Sequence, residues 1–72
     1  KAAILFNDAL EIIKKIPISR LGYFTSNDPI FAVAINDTAL PNVIRAAEKL
    51  DVQHLVAKNF TTTDTDISLI PL

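Results

Sequence analysis

The chain has no cysteine and no methionine, and only one glycine and one histidine among 72 residues. Without cysteine, neither a disulfide framework nor a thiolate metal site can stabilise a domain of this size. One glycine, Gly22, is too few for a phosphate-cradling loop. With one histidine, His54, a Ser-His-Asp arrangement has a single candidate base, and no nucleophile elbow lies near it. Neither sign of charge dominates. Seven basic and eight acidic residues give a net charge of −1, which is not the electrostatic footprint of a nucleic-acid-binding protein. No apolar run approaches the roughly 20 residues of a membrane span, and the first residues lack the build of a signal peptide. A cytoplasmic setting is the expectation. A natural chain beginning at Lys1 without methionine would need processing, so the sequence is expected to be a piece of a longer protein.

What is present is apolar residue. Half of the chain is hydrophobic, ample for the core of one domain spanning residues 1–72. A domain this short buries a modest fraction of its surface and is marginal alone. A partner subunit or the rest of a longer chain is the expected supplement.

The sequence centres on the unbroken apolar run Ile30–Ile35, entered through the turn residues Asn27-Asp28-Pro29 and left through Asn36-Asp37. Such a run reads as a strand covered on both faces. Phe31, Val33 and Ile35 make a large face suited to lie under helices. Ile30, Ala32 and Ala34 make a shallower face suited to a neighbouring domain. Upstream, Ala2, Leu5, Phe6, Ala9, Leu10, Ile12 and Ile13 fall on one helical arc, and Asn7, Asp8, Glu11, Lys14 and Lys15 on the other. This predicts a helix from Ala2 to about Lys15, closed by Pro17. Ile18–Ser26 then reads as a strand, joined to Ile30–Ile35 as a hairpin. A second helix is predicted from an N-cap at Thr38, with Pro41 in its first turn and Leu40, Val43, Ala47 and Leu50 as its apolar stripe. Val52 to Lys58 reads as a strand, residues 61–66 as a polar loop, and Ile67–Ile70 as a last strand before Pro71. The order α-β-β-α-β-β predicts an α+β fold, a sheet with helices on one face.

Few residues carry chemistry. His54 reads as a packed or solvated strand histidine. Asp64 and Asp66 offer too few oxygens for a calcium site and read as a solvated loop. Asn36-Asp37-Thr38 and Asn59-Phe60-Thr61 match the glycosylation acceptor pattern, which chance explains in so threonine-rich a chain. Arg20 and the pair Lys14-Lys15 read as exposed charges. No cofactor and no metal is expected, and no catalytic residue is identified.

One family resemblance extends this reading. Ala3-Ile4-Leu5-Phe6 with Ala9-Leu10 is followed by Ile16-Pro17-Ile18, then by Ile30-Phe31-Ala32-Val33. A helix ending Ala46-Ala47-Glu48-Lys49-Leu50 comes next, and then Asp66-Ile67-Ser68-Leu69-Ile70. This series resembles an ACT domain, in particular the regulatory ACT domains of aspartate kinases. The resemblance implies a ferredoxin-like βαββαβ open-faced sandwich with an antiparallel sheet. It also implies pairing with another ACT-like domain or a second copy through the sheet, as a dimer. The implied function is non-catalytic: binding of an amino-acid effector of the lysine or threonine class, and allosteric control of an attached or partner enzyme of amino-acid biosynthesis. Carried over onto this chain, the effector wall would comprise Ala2, Ala3, Ile16, Pro17 and Ile18. The family's first strand has no counterpart before Lys1, and Pro17 stands where the family has asparagine. The alternative is a protein-interaction or DNA-regulatory module of the Phd/YefM antitoxin type, which has a comparable stretch at Asn27-Asp28-Pro29-Ile30-Phe31. The near-neutral charge argues against it.

Overall fold

A computed structural model describes residues 2–25 and 29–72. The chain folds into strands β1 (Ala2–Phe6) and β2 (Ile12–Pro17), a 3-10 segment (Ile18–Tyr23), and strands β3 (Ala32–Ile35) and β4 (Thr38–Ala39). Helix α1 (Pro41–Lys49) follows, then β5 (His54–Ala57), β6 (Asn59–Phe60) and β7 (Ser68–Pro71). Five strands form one sheet in the order β2-β1-β3-β5-β7, and β4 pairs with β6 beside it. The α+β class holds, with helical segments packed on a sheet.

The pairing is mixed rather than antiparallel. β1 runs antiparallel to both β2 and β3, whereas β3, β5 and β7 run parallel. Parallel neighbours need a crossover connection, which α1 supplies between β3 and β5. The segment 58–67 supplies the other, between β5 and β7.

The predicted first helix is a hairpin. Ala2–Phe6 is apolar at every position, so it satisfies a strand buried on both faces as well as a helical arc. Asn7 decides between them. Its Oδ1 accepts from the backbone N–H groups of Ala9 (3.0 Å) and Glu11 (2.9 Å), and its Nδ2 donates to Glu11 Oε1 (3.1 Å). Leu10 takes a left-handed φ of 61°. Asn and Asp close turns by this kind of local bond, and here that outweighs helical periodicity. The predicted strand Ile18–Ser26 is 3-10 over Ile18–Tyr23, and its Leu21 is buried in the core. β3 therefore pairs with β1 and β5, not with that segment. Ser26, Asn27 and Asp28 of the predicted turn, and Lys1, lie outside the described residues.

The N-cap of helix α1 lies two residues beyond the predicted one. Thr38 is in β4, and Leu40 holds the N-cap position with no side-chain cap bond. Leu40 is thus exposed rather than part of the apolar stripe, while Val43, Ile44, Ala46 and Ala47 are buried. The C-terminus closes by a two-bond motif: Val52 N–H donates to Ala47 O and Asp51 N–H to Glu48 O. The motif requires a left-handed residue at Asp51, whose φ is 58°. Glycine adopts that conformation without strain. Asp51→Gly is therefore expected to raise stability by about 1 kcal/mol in a urea melt; an unchanged or lowered midpoint would contradict this account of the cap.

The core lies between the sheet and the helical segments. Ala3, Leu5, Val33, Ile35, Leu55 and Ala57 point from the strands toward Leu21, Val43, Ala46 and Ala47. Of the large face assigned to Phe31, Val33 and Ile35, the last two are covered, whereas Phe31 precedes β3, lies outside this core and packs against His54. Ile30, expected on the shallow face, instead precedes β3 and is buried in this core.

Candidate functional site

The alternate side chains of the sheet face away from the helices. The register places Lys15, Ile4, Ala34, Val56 and Ile70 in one row across all five strands. A second row runs Ile12, Phe6, Ala32, His54 and Ser68. None of these residues belongs to the core cluster. Ile4, Phe6, Ala34 and Val56 are half-buried in the sheet itself, and Ile12 and Ile70 are 64% and 41% exposed. Both helical segments lie on the opposite face, so no element among the described residues covers these rows. Ala32, expected at the surface of this face, is buried between Phe6 and His54. Its methyl is too short to clear the larger side chains on either side.

His54 sits at the margin of the face. Its ring meets Phe31 edge-on, with centroids 4.8 Å apart, and its Nδ1 is buried with no hydrogen-bond partner among the described residues. The Phe31 carbonyl accepts from the backbone N–H groups of Gln53 and His54, fixing the start of β5 against β3. The histidine is thus packed in a strand beside an aromatic ring.

The five expected effector-wall residues are neighbours along the hairpin and its exit, but their side chains alternate between the two faces of the sheet and do not form one wall. Ala2 pairs with Pro17 and Ala3 with Ile16, as the outer rungs of the β1–β2 hairpin, and Ile18 opens the 3-10 segment. Ala3 and Ile16 are buried, Ala2 and Ile18 half-buried, and Pro17 exposed. The helix start predicted at Ala2 is a strand, and α1 begins at Pro41, outside this set.

A groove alongside was not legible in the sequence. Lys14, Ile16, Ser19, Arg20, Tyr23 and Phe24 line a depression of about 640 Å³ between β2 and the 3-10 segment. In the sequence Lys14 and Arg20 read as separate exposed charges, one on a helix and one on a strand. They line one depression because β2 runs directly into a 3-10 turn.

The remaining candidates are placed in loops and turns. Asp37 Oδ1 accepts from Thr38 N–H at 2.8 Å, and the Asp37 carbonyl from Lys58 N–H at 3.0 Å. Thr61 Oγ1 donates to the Ala39 carbonyl at 3.1 Å, tying the second acceptor-pattern segment to the entry of α1. Asp64 and Asp66 are exposed, and between them Thr65 Oγ1 donates to Glu48 Oε2 at 2.9 Å. Among the described residues no three His, Cys, Asp or Glu side chains are grouped to hold a metal ion. No helix there is long and apolar enough to cross a membrane.

No protein-family model, no curated protein and no solved structure matches this chain.

Proposed function

We propose that this chain is a non-catalytic regulatory module that docks through the bare face of its sheet and responds to a small-molecule effector. The observation that supports docking is the apolar row Ile4, Ala34, Val56 and Ile70, which nothing among the described residues covers. Contiguous exposed apolar surface marks interaction sites. The occupant in this reading is another ACT-like domain or a second copy of the chain. The effector is an amino acid, as the family resemblance implies, acting on an attached or partner enzyme such as aspartate kinase. An open-faced α+β sandwich is the outline that this chain and a ferredoxin-like module have in common. The antitoxin-type alternative begins with a helix, where this chain has the β1–β2 hairpin.

Thermal melts with each of the twenty amino acids test the effector half. A ligand at a hundred times its Kd adds about 2.7 kcal/mol, which moves the midpoint of a domain this small by about 10–20 °C. At least one amino acid is expected to do so. A flat result across all twenty, at millimolar concentration, removes an amino-acid effector from the reading.

A further inference from the structure

The groove beside β2 has a composition that selects its occupant. Among the described residues its two charged lining residues, Lys14 and Arg20, are both cationic, and no carboxylate lines it. Neither side chain makes a hydrogen bond or ion pair with any described residue. Ile16 is buried, and Phe24 is half-buried against the core. Tyr23 is 85% exposed, an unusual placement for a ring that gains by burial. Ser19 adds a hydroxyl. Two cations with no partner among the described residues, lining one depression with apolar and aromatic side chains, suit a ligand with an anionic end and an apolar body. A cationic amino acid would bring its ammonium groups against Lys14 and Arg20 with no carboxylate to receive them.

We propose that this groove binds a small organic anion, with its carboxylate or phosphate held between Lys14 and Arg20 and its apolar body against Ile16 and Tyr23. The proposal goes beyond the proposed function and does not rest on its amino-acid effector: the site is the flank of the hairpin, sharing only Ile16 with the outer rungs, and the ligand is a net organic anion.

The test is an amide-resolved NMR titration of the whole chain with phenyl phosphate and, separately, phenylacetate, which distinguish the two head groups. Inorganic phosphate, phenol and lysine are the comparisons. At least one of the two aromatic anions is expected to give saturable shifts at Ile16, Arg20 and Tyr23. Inorganic phosphate is expected to bind at least tenfold more weakly, and phenol and lysine not to saturate. Lys14→Ala and Arg20→Ala should each raise Kd tenfold or more, as loss of a charge-assisted bond does. Tyr23→Ala should raise it severalfold. All three positions are exposed, so the variants are expected to melt within a few degrees of the parent. Absence of saturable shifts with both aromatic anions overturns the proposal. So does inorganic phosphate binding as tightly as phenyl phosphate, or a Kd indifferent to both cation deletions. The docking half is read separately by sedimentation, so loss of anion binding with association intact removes the ligand site and leaves the docking surface.

Discussion

Leu55→Ala is expected to leave the chain close to its unfolding midpoint at room temperature. Leu55 is fully buried in β5, with Val33 beside it on β3 and Leu69 on β7. Leu5 extends the same rung on β1. Neighbouring strands hold their separation by backbone hydrogen bonds, so the space left by the deleted side chain cannot close. Leucine-to-alanine changes at such sites cost about 2–5 kcal/mol through lost transfer energy and the residual cavity. A domain of this length is stabilised by only about 4–10 kcal/mol in total. Urea and thermal melts followed by far-ultraviolet circular dichroism would measure the loss, expected as a fall in Tm of about 15 °C or more. A fall of less than a few degrees would mean that the rung through Leu55 is not the centre of the core.

Ala34→Glu is expected to abolish association while leaving the fold intact, the opposite outcome. Ala34 is on the central strand, but on the bare face, between Ile4 and Val56. In the free chain the new carboxylate can reach water past half-exposed neighbours, so folding loses about 1 kcal/mol or less. Against a partner it would be a charge buried without a counter-ion, which costs several kcal/mol. A dimer held by the face should weaken at least a hundredfold. The face spans five strands at about 4.8 Å spacing and four or five residues in length, roughly 300–400 Å² in plan. An interface of that extent is at the small end for specific complexes, so the parent is expected to self-associate at micromolar concentration or weaker. Sedimentation equilibrium of parent and variant, with melts of both, separates the cases. A variant that associates like the parent excludes this face as the docking surface. A variant that unfolds would place Ala34 in the core. Ala32 is a poorer probe of the same face, because it is itself buried.

The two substitutions lie one residue apart in the register of adjacent strands, yet their expected effects differ in kind. The alternation of the strand produces that difference. The sequence pattern already carried it for β3, where Val33 and Ile35 were expected under the helices and Ala34 outside. It did not carry it for β1, because Ala2–Phe6 is apolar at every position and shows no alternation. A continuous apolar run is equally consistent with a helix arc and with a strand covered on both sides.

The α+β class, the buried strand at the centre, a second helix running through Leu50 (though not its start) and the strands on either side of the polar loop are legible in the sequence. Each of these has a local signature: an apolar run between turn residues, a 3.6-residue stripe, or a threonine- and aspartate-rich break. The other features depend on contacts across the fold. The hairpin Ala2–Pro17 arises because Asn7 closes a turn and because β1 gains hydrogen bonds on both edges, from β2 and β3, that an isolated helix could not match. Strand direction was equally out of reach, since parallel and antiparallel neighbours bury the same side chains. The groove of Lys14 and Arg20 exists only because two exposed charges, six positions apart, are folded onto one wall. Strand direction and the pairing of β1 with β3 depend on partners distant in the chain, which no local window contains, whereas the Asn7 turn and the junction of β2 with the 3-10 segment are local and compete there with the helical arc.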